Sequence, residues 1–310
     1  YKSKHPENPY YKNKEILHAA LLGGDCIRNF QYDDGRVEFV KTDGSKWGPV
    51  YMPWTMYHWL ETYALLREEM GERRAKEWRR GLILAMEGMV KEHKENPTLV
   101  HNIVAWKGMT LYRAGQLFKR EDLRKTGREM IYNVVKGQDS HGFWREYEGP
   151  TTHYNLVYIH SIGLYYEFSG DESVLSCLKR ALEFHMKFTY PDGVPVETID
   201  GRVKYRGKVS SLALSAFSIF PEGRRYVRFL LGNMALRNEL DECAPSFATA
   251  YSHIHLGDEK KILQDLWSYV AGLDEMAIVR RLGKWFYCLS AIIVKPRPER
   301  RWMMDRQNYI

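Results

Sequence analysis

The chain has 310 residues, a length for one large domain or two ordinary ones. Apolar residues make up 44% and charged residues 27%, a globular balance, and no apolar run approaches a membrane span. The net charge of +7 (pI about 9.0) fits an anionic partner: nucleic acid, a membrane surface or an acidic polysaccharide.

The four cysteines, Cys26, Cys177, Cys243 and Cys288, lie far apart with no CxxC pair. That spacing excludes a thiolate zinc site and reads as mostly free, buried thiols. The chain begins at Tyr1 with no signal peptide, so its first residue reads as a processed or trimmed end, compatible with secretion.

Taken in chain order, residues 1–50 read as an N-terminal excursion with a short strand at 36–40. Asp33-Asp34 and Asp43-Gly44 read as its hairpin turns. Residues 51–295 read as helices. Apolar stripes at helical spacing run through Met56, Leu60, Tyr63, Ala64; then Leu82, Ala85, Met86, Met89; then Val104, Gly108, Leu111, Gly115, Phe118. Further stripes are Leu175, Leu178, Leu182, His185; Val227, Leu230, Leu231, Met234; and Ile262, Leu266, Val270. An amphipathic helix is predicted from about Asn155 to Phe168, and a second strand signal at 194–205. Residues 296–310 form a basic tail.

Similar turns join the helices: Met70-Gly-Glu, Phe118-Lys-Arg-Glu-Asp122, Ser169-Gly-Asp-Glu172, Phe220-Pro-Glu-Gly223 and Leu256-Gly-Asp-Glu259. Glycine stops a helix in the left-handed conformation, and an acidic residue favours the next N-terminus. The first four turns recur about every 50 residues, which is the period of a helical-hairpin array. The predicted fold is all-α: one (α/α) toroid of helical hairpins, complete or incomplete, with minor β excursions. An open solenoid is the alternative. Longer connections near 95–98, 137–152 and 190–207 would gather on one end, which would be the working face.

One connection is the richest in chemistry: Gly142-Phe-Trp-Arg-Glu-Tyr-Glu-Gly-Pro-Thr-Thr-His-Tyr-Asn155. Ring faces that stack on sugars stand there among proton-transfer groups. With nine Trp and 21 Tyr in the chain and no nucleic-acid motif, an acidic glycan is the expected partner; neither nucleic acid nor a membrane is expected. No phosphate loop or dinucleotide fingerprint is present, so no cofactor is expected, and no ligand spacing supports a metal.

Two segments, His101-Asn102-Ile-Val-Ala-Trp-Lys-Gly-Met-Thr-Leu-Tyr-Arg-Ala-Gly-Gln-Leu-Phe118 and Asp139-Ser-His-Gly-Phe-Trp-Arg-Glu-Tyr-Glu-Gly-Pro-Thr-Thr-His-Tyr154, resemble the toroid domain of the heparinase II/III-like polysaccharide lyases, with alginate lyases as cousins. A weaker echo is Tyr190-Pro-Asp-Gly-Val-Pro-Val-Glu-Thr-Ile-Asp-Gly-Arg-Val-Lys-Tyr205, so the resemblance covers roughly residues 54–206. In that family a tyrosine of the second segment is catalytic. Here that place falls on Thr152, with Tyr154 displaced by two. The family's usual C-terminal β-sandwich has no counterpart by Ile310.

The resemblance implies β-elimination on a uronic acid. Asn102 would neutralise the substrate carboxylate, with Arg202 or His101 assisting, and Tyr154 and His153 would move protons. A tyrosine base needs positive charge nearby, for which Arg145, Arg202 and Lys204 are candidates. Trp54, Tyr57, Trp144, Arg145, Glu148, Arg202 and Tyr205 would bind substrate. Such a function implies a secreted or periplasmic setting.

Each residue also has a plainer role: Asn102 as helix N-cap, Tyr154 as a wall residue, and His160, His185 and Trp59 as core. The rival function is glycoside hydrolysis, using Glu146 or Glu148 with Asp192, Glu197 or Asp200 as the paired carboxylate. A non-catalytic glycan-binding relative and a protein-binding helical scaffold complete the alternatives. The sequence sets no oligomeric state.

Overall fold

The computed structural model describes residues 1–146, 149–202, 206–240 and 244–292. The chain packs as two compact units. One comprises Tyr1–Leu99 and Trp106–Met130; the other comprises Val100–Ala105 and Ile131–Ile310.

The first unit opens with α1 (Lys14–Asn29), where the sequence reading expected none. The side chain of Asn13 caps it by accepting from the N–H groups of Glu15 and Ile16. Leu21 and Gly24 of α1 are buried, and Leu17, Ala20 and Ile27 on the same face are half-buried, a stripe at helical spacing. The strands β1 (Val37–Val40) and β2 (Lys46–Val50) pair antiparallel around the predicted Asp43-Gly44 turn. Helices α2 (Pro53–Leu66) and α3 (Glu72–Glu95) form the first hairpin through Gly71, whose φ of 76° favours glycine. Their core is Met56, Trp59, Leu60, Trp78, Leu82, Ala85, Met86 and Met89; the stripes predicted six of these, while Tyr63 and Ala64 of the first stripe are only half-buried. Asp25 ties α1 to it, accepting from Trp78 Nε1 at 2.8 Å and pairing with Arg74 at 3.0 Å.

Helix α4 (Asn102–Phe118) turns through Lys119 into α5 (Glu121–Lys136). The second unit centres on α6 (Thr152–Ser169), which ends at left-handed Gly170. The predicted one-sided face is corrected here: Leu156 and every residue from Tyr158 to Tyr165 are buried, so α6 is wrapped on all sides. Helices α7 (Leu175–Lys187), α8 (Leu214–Ser218), α9 (Pro221–Leu236) and α10 (Ala244–His253) complete the helical part. Gly223 lies inside α9, so the turn before that helix is Ile219-Phe220, with Pro221 at its first position.

Helix α8 enters through Ala213, a non-glycine residue at φ 64°. Its N–H donates to Nδ1 of buried His160 at 3.2 Å, which fits the expected core role of that histidine. Gly163 of α6 meets α8 directly: a Cβ there would lie 2.3 Å from the Cβ of Ala216.

The helical array stops at His253. The predicted helix through Ile262, Leu266 and Val270 is absent: Ile262 and Leu266 flank a single 3-10 turn (Leu263–Asp265), and Val270 lies in a three-stranded antiparallel sheet of β3 (Ser268–Leu273), β4 (Ala277–Leu282) and β5 (Trp285–Ser290). The sheet buries Tyr269, Leu273, Ala277 and Val279 against Phe143, Phe184, Phe188, Val196 and Ile199, leaving Val270 exposed. Of the strand expected at 194–205, residues 203–205 lie outside the described residues, and the rest is reduced to an isolated bridge between Thr189 and Pro195. Cys26 is exposed and Cys177 buried, both free, while Cys243 and the basic tail lie outside the described residues. No helix among the described residues is long and apolar enough to cross a membrane. Mostly helical, with tight turns inside hairpins and short β excursions, the chain matches the fold class read from its sequence.

Gly163→Ala should lower stability by about 1–3 kcal/mol through overpacking. Adding Ala216→Gly should restore part of that loss. Urea unfolding of the parent and the two variants checks this; a neutral Gly163→Ala would mean the crossing is not close-packed.

Candidate functional site

The site is built where the 137–151 and 188–213 connections meet the N-termini of α4 and α6. The first turn of α6 has N–H groups with no intrahelical partner. Thr151 Oγ1 accepts the N–H of Tyr154 at 2.9 Å. Asp200 Oδ2 accepts the N–H of Thr152 at 2.7 Å, that of His153 at 3.1 Å and the Thr152 hydroxyl at 3.2 Å. A carboxylate there also meets the positive end of the helix dipole. The other oxygen of Asp200 accepts the N–H of Arg202 at 2.8 Å.

The guanidinium of Arg202 then does two things. It pairs with Glu146 Oε2 at 3.0 Å, and it lies over the Tyr154 ring, 3.6 Å from the ring centroid. Glu146 is only 3% exposed. Its Oε1 accepts from Asn102 Nδ2 at 2.7 Å and from the Tyr158 hydroxyl at 3.2 Å. Burial, reinforced by the Glu146 charge, pushes the Tyr158 phenol far above the ordinary tyrosine range, so it stays a donor. The Tyr158 ring stacks on Trp144 at 4.8 Å between centroids and 6° between planes.

His153 shows part of its surface to solvent while protein atoms crowd the rest. That crowding holds its imidazole below the ordinary histidine range; the Asp200 charge opposes the shift and the Arg202 charge adds to it. His153 is therefore a neutral base at neutral pH. Its ring meets that of Tyr154 edge-on at 5.6 Å.

Of the expected site residues, Asn102, His153, Tyr154 and Arg202 are thus brought together with Glu146. Several expected roles change. The Nδ1 atom of His101, not Asn102, caps α4 by accepting the N–H of Ile103 at 3.2 Å. The Asn102 amide gives one N–H to Glu146 Oε1. Trp144 is wholly buried, with its Nε1–H on the Val134 carbonyl at 2.7 Å, and offers no ring face to a sugar. Tyr57 is buried against Trp106 in the first unit and serves as core; Trp54 is half-buried beside the same indole, at 6.2 Å. Arg145 is exposed, 3.4 Å from Asp139. Glu148, Lys204 and Tyr205 lie outside the described residues. Asp192 pairs with Arg206 and Arg237, and Glu197 accepts from the Tyr190 hydroxyl. No group of three potential ligands among the described residues is placed to hold a metal.

Two residues of the cluster escaped the sequence reading. Tyr158 sits one turn after Tyr154, so an i, i+4 scan of α6 would have found it. Asn155 fixes the loop from below: its Oδ1 accepts the N–H of Trp144 at 3.2 Å, and its Nδ2 donates to His185 Nε2 at 3.1 Å. An acceptor Nε2 makes His185 the neutral Nδ1–H form, and complete burial lowers its pKa to about 3.

No family model matches the chain, and no curated protein matches it. The resemblance to the heparinase II/III-like lyases therefore stands on its motifs alone. Among solved structures, an inactive variant of the α-1,6-mannanase GH76A of Salegentibacter sp. HEL1_6, in complex with α-1,6-mannotriose, aligns over 80% of this chain and 72% of that one. The identity is 12% and the TM-score 0.47, too distant to carry an argument about this chain.

His185 gives a pH prediction. The unfolded chain binds a proton at this side chain near pH 6.5 and the folded chain only near pH 3. Between those values the unfolded state holds more protons, so stability falls as pH falls, by up to about 1.4 kcal/mol per unit. His185→Phe should flatten that slope. Urea midpoints from pH 7 to 4 test it; parallel slopes in both proteins would contradict it.

Proposed function

We propose that this chain is a glycan-cleaving enzyme acting on an acidic polysaccharide, with proton transfer at Tyr154 and His153. The observation that carries the reading is the Arg202 guanidinium over the Tyr154 ring, beside a neutral His153. A phenolate formed at Tyr154 would face a fixed positive charge, which is what a tyrosine base requires. β-Elimination follows from that chemistry. Tyr154 or His153 takes the C5 proton of a uronate, the electron pair forms the C4–C5 double bond, and the O4 substituent leaves with a proton returned by the acid form. Positive charge for the substrate carboxylate comes from Arg202 and from Arg145, exposed on the 137–151 connection. In this reading Asn102 holds Glu146 in place rather than touching substrate.

Hydrolysis is the second reading, supported by two buried carboxylates, Glu146 and Asp200, that both bond to Arg202. A hydrolase needs one carboxyl to carry a proton. Glu146 faces a guanidinium and two further donors, and Asp200 faces four donors. That arrangement favours elimination.

Incubation with a panel of uronate-containing polysaccharides, followed by ultraviolet absorbance and reducing-end release, tests the pair. The proposal expects both signals in the parent protein. It expects loss of turnover by a factor of about 100 or more in Tyr154→Phe, with an unchanged unfolding midpoint. Reducing ends without absorbance would establish hydrolysis. Undiminished turnover in Tyr154→Phe would overturn the assignment.

A further inference from the structure

We infer that Asp200 is the positioning residue of this site: its single carboxylate sets Arg202 over Tyr154. The inference rests on the reading of Tyr154 as the proton-transfer group, but its geometry stands independently. Asp200 is 4% exposed. Oδ2 takes the backbone of Thr152 and His153, the two residues immediately before Tyr154, and Oδ1 takes the backbone of Arg202. One rigid, planar group therefore joins the start of α6 to the residue whose side chain covers it. Three of the bonds run to main-chain N–H groups, so the start of α6 and the backbone of Arg202 are joined directly; the Arg202 side chain reaches Tyr154 from that origin and is held at its far end by Glu146.

The chain around Asp200 is fitted to this task. The N–H of Gly201 donates to the Pro150 carbonyl at 2.6 Å. A Cβ on Gly201 would lie 3.0 Å from that oxygen and 3.3 Å from Gly149 Cα. The absence of a side chain at 201 thus lets this stretch lie flat on residues 149–150, directly before the α6 cap. Thr152 adds a second tie, its hydroxyl reaching both Asp200 Oδ2 and the Val196 carbonyl at 3.1 Å.

Asparagine cannot copy this arrangement. Its amide offers one acceptor oxygen and an NH₂ donor, so one of the two N–H sets, on α6 or on Arg202, would face a donor. Asp200→Asn should therefore separate Arg202 from Tyr154 while leaving the Glu146 charge in place. The direct readout is the Nε–H resonance of Arg202 in arginine-labelled protein, assigned by its absence in Arg202→Lys. The Tyr154 ring current displaces it upfield, and Tyr154→Leu gives the undisplaced position. In Asp200→Asn the displacement should fall by more than about half, because ring-current contact is lost within an ångström or two of movement. Gly201→Ala, which lifts the same stretch without altering the carboxylate, should move the resonance in the same direction and serves if Asp200→Asn does not fold. A full displacement in either folded variant would overturn the inference. On the substrate found for the parent protein, kcat should fall about tenfold or more with KM little changed, the pattern of lost alignment. If no substrate is turned over, the function proposal fails while the resonance still decides the role of Asp200.

Discussion

A buried negative charge at Glu146 is the constraint on which the second unit turns. Desolvating a carboxylate costs several kcal/mol even after relaxation, so the fold must surround it with a cation and donors. Three donors arrive from three separate stretches: Asn102 at the start of α4, Tyr158 on α6, and Arg202 from the long connection after α7. None of these stretches can shift without leaving a charge or donor unpaired. The pair itself adds little net stability, since its Coulombic gain is set against the desolvation of both ions. What it fixes is position.

The chemistry of the site follows from that position. Arg202, anchored at one end by Glu146, spreads its remaining face over Tyr154. Tyr158, bonded to the same carboxylate, remains protonated and walls the cluster with Trp144 behind it. His153 stays neutral in its crowded setting at the start of α6. On the proposed reading, the Tyr154 ring with a cation over it and a neutral base beside it would serve proton abstraction.

Much of this was legible in the sequence. Helical stripes and stop–start turns located the hairpins because apolar burial and backbone conformation are local properties. The segment 142–155 stood out because proton-transfer groups and rings concentrate there. Partner choice was not legible. Asn102 at a helix start predicts a cap, yet the neighbouring His101 ring supplies it and frees the amide for Glu146, 44 residues away. Trp144 in a sugar-binding type of segment predicts a stacking platform, yet its indole N–H finds the Val134 carbonyl and the ring turns inward. The sheet after α10 was lost because Ile262, Leu266 and Val270, four apart in sequence, fall in a 3-10 turn and a strand instead of one helix. In each case a tertiary contact chose between local options of similar energy.

The Glu146–Arg202 charge pair sets the geometry of the cluster without being a net source of stability. A double-mutant cycle decides this: Arg202→Met, Glu146→Leu and the double variant, each unfolded in urea. Arg202→Met, which strands the buried carboxylate, should lose about 3–5 kcal/mol, and the double variant much less than the two single losses summed. Two mild, additive losses would mean that Glu146 is not a charge held by Arg202.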